Sequence, residues 1–485
     1  MTSQSQAPSY QPETPILSLA PKMGDAVDAA KFPDATLRFR NDRAAASIGL
    51  DTLDDAQWIE HFGHFEPLTD NLKQPLALRY HGHQFRVYNP EIGDGRGFLF
   101  AQMRDGTGRL MDLGTKGSGT TPWSRAGDGR LTMKGAVREL LATEMLEALG
   151  VNTSKTFSIV ETHEELWRSD EPSPTRSAVM VRLSHGHIRF GSFQRLAYES
   201  DSETMAALVR YCLTHYYDDA DTDSRSDAEN AGYLFALVAE RMAKLVASYM
   251  VAGFVHGVLN TDNMNISGES FDYGPWRFAQ YWQPGFTAAY FDHQGLYCFA
   301  RQPEAFHWNL GQLATCLRML CEAEPLIETL EGFGPSYQQA MMQHFCWRLG
   351  ITSRGDDEGR ELVQAGEKLL LAERHTIDEF FFHNRKMVAT GKTPDLLTPN
   401  GDEKHDEALV KWLACLEPYQ AVANACDHDY WQDEAPQGMA IEEVEALWEH
   451  IAERNDWEPL MAKISALRDM GEAHGSALPA SAQAN

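Results

Sequence analysis

The chain has 485 residues, 43% of them hydrophobic and 23% charged, the make-up of an ordinary globular protein with two or three packed units. Its formal net charge of −28 repels phosphate backbones and anionic lipid, so neither nucleic acid nor membrane is an expected partner. No apolar run of about 18 residues offers a transmembrane helix, and the opening MTSQSQAPSYQPETP lacks the basic and apolar regions of a secretory signal.

Seven cysteines, Cys212, Cys298, Cys316, Cys321, Cys346, Cys415 and Cys426, are scattered without a C-x-x-C pair. They read as free thiols of a reducing compartment, so a cytoplasmic location is expected. In so acidic a chain any nucleotide site must be locally positive, and gathered basic residues carry weight.

Residues 1–30, rich in Ser, Gln, Pro and Ala, read as a mobile arm, and residues 31–75 as a mixed lead-in. The glycine-dense block His81–Thr132 follows. In it GDGRG alternates Gly93, Gly95 and Gly97, FLFAQM reads as a strand, Asp105-Gly106 as a turn and RLMDLGTK as a second strand. Hairpins use the same residues. A loop folded over phosphates also does, because glycine lets backbone N–H groups approach anionic oxygens. Lys116 on the second strand, with Gly114, Gly117 and Gly119 around it, favours the phosphate reading. Arg96 adds a fork of donors suited to phosphate. In SRAGDGRLT, Asp128 and Gly129 form either a plain turn or a second phosphate-facing loop.

The spacing of Val137, Leu140, Leu141, Met145, Leu146 and Leu149 predicts a helix over 133–149, stopped by Gly150. Glu139, 23 residues after Lys116, is one of three carboxylates on it, with Glu144 and Glu147; periodicity does not choose among them. TFSIVE and SAVMVRLS read as strands, and Arg182 and Arg189, seven residues apart, as a clamp on outer phosphates. The triplets His81-Gly82-His83 and His185-Gly186-His187 have no Cys or third His at ligand spacing, so a zinc site is not expected. Residues 202–222 and 228–253 read as helices; the second carries Leu234, Val238, Met242, Leu245 and Tyr249 on one face.

That helix delivers the chain to HGVLNTDNMNISGESFDYGP, His256–Pro275. Asp262 and Asn263 stand side by side, and Asp272 follows ten residues on. An amide oxygen and a carboxylate are the hard ligands that nucleotide-bound magnesium takes. The stretch resembles the catalytic loop and metal-binding triplet of protein kinases, with His256, Leu259 and Asn263 in register. Val258 then occupies the place of the kinase base and cannot accept a proton; the carboxylate stands at Asp262 instead. Either the chain is a pseudokinase, or the same frame runs different chemistry.

Aromatic and turn residues alternate after Asp272, which suggests a segment with room for an acceptor groove; Asp292 and His293 within it read as structural. Patterns at 308–321, 336–349, 359–373 and 405–425, and the run EEVEALWEHIAERNDW, predict helices, and residues 475–485 a flexible tail.

Taken together, GDGRG, DLGTKGSG, the GDG loop, the two arginines, GVLNTDNM, DYGP and WNLGQLA (308–314) resemble the selenoprotein O family, densely from about 75 to 320 and thinly beyond about 390. The resemblance implies an α+β, protein-kinase-like, two-lobed fold: a β-rich N-lobe over 31–195, a helical C-lobe over 196–390 and a helical extension over 391–474. It implies transfer of AMP from ATP to Ser, Thr or Tyr hydroxyls of proteins, the enzyme itself among them. The nucleotide lies inverted relative to kinases, so the α-phosphate is attacked and pyrophosphate leaves. Carried over, Gly93, Gly95, Arg96, Lys116, Asp128, Gly129, Arg182, Arg189 and Asp272 hold ATP. Glu139 pairs with Lys116, Asn263 and Asp272 hold Mg²⁺ or Mn²⁺, and Asp262 takes the proton. The alternatives are a kinase-like phosphotransferase and a non-catalytic ATP-binding pseudokinase module. The chain departs from the family in having no Cys after Cys426, so a C-terminal disulfide switch is not expected.

Overall fold

The computed structural model describes residues 9–372, 374–394, 397–398 and 401–475. An antiparallel sheet runs in the order Gly24–Ala26, Leu76–Leu78, Leu99–Arg104, Leu110–Lys116, Thr175–Ser184, Lys155–Leu166, Thr36–Arg40, with Gln11–Pro12 and Leu131–Thr132 paired at its margins. Its middle strands are buried on both faces, which is why they read as near-continuous apolar runs. On one face Met180 and Ile159 meet Val137, Leu140 and Leu141 of the helix Met133–Ala148. On the other, Val160, Val179 and Val181 pack with Trp58, Phe62 and Phe157. Trp58 stacks on Phe157 at 4.8 Å between ring centroids.

Residues 9–30 are not an arm. Ile16, Leu19 and Met23 are buried in the core, Gln11–Pro12 pairs with Leu99–Arg104, and the Ile16 N–H donates to Gln102 Oε1 at 3.0 Å. A few apolar anchors suffice to hold a segment whose composition is otherwise that of a linker. Residues 1–8, and 476–485 of the expected tail, lie outside the described residues.

Most predicted helices form, with shifted ends. The helix Asp227–Ala252 begins in a capping box between Ser226 and Glu229 and ends on left-handed Gly253. The expected 202–222 helix ends at Tyr216, and the 405–425 helix at Leu416, two residues before Pro418. The 336–349 helix begins earlier, at Ala323, and carries Pro335 inside it. Phe190–Glu199, Ile377–Thr390 and Glu458–His474 are helices without a sequence expectation. The last lies against Met133–Ala148, where Arg468 donates to both Glu144 oxygens at 2.8 and 2.7 Å. All seven cysteines are free, and among the described residues no helix is long and apolar enough to cross a membrane.

Candidate active site

The register of two neighbouring strands begins the site. Lys116 pairs with Met180 and Gly114 with Arg182. Side chains two apart on a strand share a face, so Lys116 and Arg182 both project toward the helix Met133–Ala148. That helix answers with Glu139: Lys116 Nζ lies 2.5 Å from Glu139 Oε2, and Arg182 Nη1 lies 3.4 Å from Oε1. The other two carboxylates of the helix are engaged elsewhere, Glu144 with Arg468 and Glu147 with Lys155. Gly114 is needed beside this pair, because a Cβ there would stand 2.1 Å from His187 Nε2.

A second register brings in the stretch His256–Pro275. Residues 188–190 pair with 264–266: Ile266 N donates to Ile188 O and Phe190 N to Met264 O, each at 2.9 Å. Arg189, at the start of Phe190–Glu199, thereby lies across from Asp262 and Asp272. Its Nη1 donates to Asp272 Oδ2 at 2.8 Å and to the Asp262 carbonyl at 2.9 Å, while Arg182 Nη1 donates to Asp272 Oδ1 at 2.6 Å. Arg189 also sits over the Tyr80 ring, 4.3 Å from its centroid, and reaches Asp94 at 3.5 Å. The result is a chain of alternating charge from Lys116 through Glu139, Arg182, Asp272 and Arg189 to Asp94. Asp272 occupies it with φ of +61°, a strained conformation for a non-glycine residue. His256 supports the triplet from behind, its Nε2 3.0 Å from the Phe271 carbonyl, and the Tyr273 hydroxyl donates to Ser270 Oγ at 2.7 Å.

These groups line one cleft of about 720 Å³. Gly93, Gly95, Arg96, Lys116, Asp128, Gly129, Arg182, Arg189, Asp262, Asn263 and Asp272 all border it; Glu139 stands behind Lys116 and does not. The wall carries Arg96, Lys116, Arg125, Arg130, Arg168, Arg182 and Arg189 against Asp94, Asp128, Asp262 and Asp272, a basic excess on a chain of net charge −28. Arg96 and Arg125 are exposed at the rim, and among the described residues neither guanidinium has a hydrogen-bond or ion-pair partner. Asp128 is paired instead, with Arg168 at 2.8 Å. The glycines are required by close approach: a Cβ on Gly93 would lie 2.5 Å from the Trp123 ring, and one on Gly97 2.0 Å from the Thr115 carbonyl.

Electrostatics divide the two aspartates. Burial acts to raise the Asp272 carboxyl, yet Arg182, Arg189 and Lys116 hold it well below the usual carboxylate range. Burial pushes Asp262 up to about 6, against Arg189 and with Asp272. Its Oδ1 is buried without a hydrogen-bond partner. Val258 borders the same cleft. Asn263 Nδ2 donates to the Val258 carbonyl at 2.9 Å, which leaves its Oδ1 without a partner among the described residues.

The sequence reading missed the hairpin Gly82–Gln84/Val87–Asn89, which packs on the Asp262 turn. His83 N donates to Thr261 Oγ1 at 2.7 Å and Phe85 N to Asn260 Oδ1 at 2.9 Å. Buried Gln194 ties the two together, accepting from Thr261 Oγ1 at 2.6 Å and lying 2.7 Å from His83 Nδ1. Of the other His-Gly-His triplet, His185 Nδ1 is 2.8 Å from the Leu110 carbonyl and His187 Nδ1 3.2 Å from Asp112. Asp292 accepts from Leu296 N and Tyr297 N at 2.8 Å each.

A family model described as "Protein adenylyltransferase SelO" matches residues 7–468. The chain belongs to the SelO family. Similarity to curated members runs nearly end to end. The chain is 42% identical over 493 residues to "Protein nucleotidyltransferase YdiU" of Synechococcus elongatus, covering 97% of each chain. It is 41% identical over 476 residues to the protein of that name in a Synechocystis species, covering 95% of this chain and 98% of the relative. To that of Gloeobacter violaceus it is 40% identical over 471 residues, 95% of each. As a member of the SelO family the protein is a nucleotidyltransferase, an enzyme of the adenylyltransferase type.

Proposed function

We propose that the protein transfers AMP from ATP to Ser, Thr or Tyr hydroxyls of proteins on a kinase-like, two-lobed frame, with Mg²⁺ or Mn²⁺ as the metal. The observation that carries this reading is the placement of Asp262 and Val258 on one wall of a basic cleft. The kinase base is replaced by an apolar side chain, and a buried carboxylate of raised affinity for protons stands four residues on.

Lys116, Arg182 and Arg189 neutralise the triphosphate from the closed end of the cleft, Arg96 and Arg125 from its rim. Such fixed cations stabilise charge that shifts during phosphoryl-type transfer without reorganising. The acceptor oxygen forms a bond to the α-phosphorus, the bond from that phosphorus to the bridging oxygen breaks, and pyrophosphate departs with the electron pair. The hydroxyl proton passes to Asp262; general-base help of this kind is worth roughly 10²–10⁴-fold. Positioning supplies much of the rest.

The donor set fits a hard divalent cation. Asn263 Oδ1 is free because Val258 holds the amide nitrogen, and Asp272 keeps its carboxylate ionised. Among the described residues there is no cluster of three His, Cys, Asp or Glu side chains for a metal. That accords with a cation held by one or two protein oxygens plus phosphate. When bound, it supplies further neutralisation of the phosphate oxygens.

The test is incubation with ATP labelled at the α-phosphate or at the γ-phosphate, followed by intact-mass measurement. Covalent α-label with the mass of one AMP on acceptor or enzyme, absent in Asp272→Ala, is the expected result. γ-Label on the acceptor establishes a kinase-like phosphotransferase instead, and label in neither form a binding module.

A further inference from the structure

The two sides of Asp262 differ in chemistry. Toward Arg182 and Arg189 the cleft is basic; the hairpin Gly82–Asn89 borders it through Gln84 and carries rings beyond it. Asp262 Oδ1 lies within 2.8 Å of where a Cβ on Gly82 would stand, so the hairpin is the carboxylate's immediate neighbour. From this hairpin the rings continue outward in both directions. Phe85 meets Phe291 at 5.7 Å, and Phe291 meets Tyr290 at 5.1 Å. Tyr88 stacks with Tyr198 at 5.9 Å, and His83 packs edge-on to Trp308 at 5.3 Å.

The outer members are unusually open for aromatic side chains: Tyr290 is 83% exposed, Tyr198 65% and Phe291 42%. Exposed aromatic side chains of this kind, on both sides of one hairpin, mark a place where another molecule docks. Charge says which kind. The one arginine on the hairpin, Arg86, is paired with Glu304 at 2.9 Å, so the hairpin itself offers no unpaired arginine to a phosphate or nucleic acid. The hairpin is a two-stranded sheet, and among the described residues Val87–Asn89 pairs on one side only, with Gly82–Gln84. An extended chain adds to such an edge by backbone hydrogen bonds.

We propose that this aromatic ledge seats the acceptor polypeptide, as an extended segment whose hydroxyl-bearing residue reaches Asp262 and whose flanking aromatic or aliphatic residues lie on Tyr198, Tyr290 and Phe291. The ledge rests on the adenylyltransferase reading and deepens it: the family's reaction needs a protein to arrive at Asp262, and the opposite wall belongs to the nucleotide. Preference among acceptors then comes from the neighbours of the hydroxyl and not from charge.

The experiment uses the full chain, α-labelled ATP with MgCl₂, and two sets of synthetic peptides. Each has a central Ser, Thr or Tyr, flanked by Phe and Leu in one set and by Gly, Ser and Asn in the other. The parent protein favours the apolar-flanked set by about tenfold or more in kcat/KM, a contrast of the size that one well-placed aromatic anchor gives. In Tyr290→Ser/Phe291→Ser, and separately in Tyr198→Ser, that ratio falls toward one while ATP affinity, measured by calorimetry, is kept. An equal rate on both sets by the parent, or a ratio that survives both variants, overturns the ledge even where self-modification proceeds. If the parent places AMP on no peptide and not on itself, the adenylyltransferase reading falls, and the ledge with it.

Discussion

Arg182 Nη1 donates to Asp272 Oδ1 at 2.6 Å, and Arg189 occupies the other oxygen of the same carboxylate at 2.8 Å. The groups proposed to grip phosphate are therefore already gripping the group proposed to grip the metal. Nucleotide and cation each disturb this balance alone: phosphate competes with Asp272 for the arginines, and a cation competes with the arginines for Asp272. Bound together, they exchange one set of ion pairs for another.

Asp272→Asn should consequently tighten metal-free nucleotide. With the carboxylate gone, both arginines are released to phosphate. Charge-assisted hydrogen bonds are worth roughly 1.5–3 kcal/mol, so a gain of about tenfold in affinity, ~1.4 kcal/mol, is expected in chelator-treated solution. Calorimetry with and without MgCl₂ reads it. The parent should gain affinity on adding the metal, and the variant should not. Equal metal-free affinities for the two proteins would refute the exchange.

Lys116 and Glu139 are both buried, with side-chain exposures of 7% and 0%. Breaking such a pair leaves a charge without compensation, at a cost of about 3–5 kcal/mol. The two halves are unequal, because Glu139 keeps Arg182 at 3.4 Å when Lys116 is removed. Glu139→Gln should then lower the urea midpoint more than Lys116→Met does. The double variant should recover about 1 kcal/mol or more relative to the sum of the singles. Strict additivity would show that the pair is not coupled.

Gly82→Ala should separate binding from turnover. The new methyl would stand 2.8 Å from Asp262 Oδ1 and 2.9 Å from Ile92 Cδ1, both at the ends of side chains that can yield. The fold survives while the carboxylate moves. Displacement of a reacting group by tenths of an ångström to one ångström is expected to cost on the order of 10²-fold in rate, with ATP affinity within twofold of the parent's. A large loss of ATP affinity would contradict this placement.

Glu269 predicts a pH dependence of stability. Burial raises it to about 7 from an ordinary 4.5, although its carboxylate accepts the His185 N–H at 2.9 Å. A carboxyl raised on folding binds its proton more tightly in the native state than in the unfolded one. Its contribution is whole below about pH 4.5 and is lost as pH climbs through 7, by about 3 kcal/mol. Glu269→Gln keeps an acceptor for His185 and removes the ionisation. Urea titrations at pH 5 and pH 8 should show the variant gaining on the parent only at the higher pH; a gap that is the same at both pH values excludes Glu269 as the cause.

What could be read from the residues divides by range. Strands such as SAVMVRLS and the helix over Met133–Ala148 announce themselves because burial is periodic along a few consecutive positions. The cleft residues announce themselves because motif spacing carries their chemistry, and the structure brings all of them but Glu139 to the border of one cleft. Three things were not legible. The anchoring of residues 9–30 depends on Ile16, Leu19 and Met23 finding a distant core, which no local pattern records. Periodicity could not choose Glu139 over Glu144; the partners do, Lys116 from a neighbouring strand and Arg468 from the last helix. The hairpin at Gly82 meets Asp262 across 180 residues, and the His81-Gly82-His83 triplet, which lacks zinc-ligand spacing, is a brace for that meeting.

The bidentate grip of Arg468 on Glu144 joins positions separated by 324 residues. A polypeptide emerging from the ribosome therefore completes its glycine loops, its lysine strand and its Asp-Tyr-Gly triplet long before the helix that bears Glu139 receives its outer support.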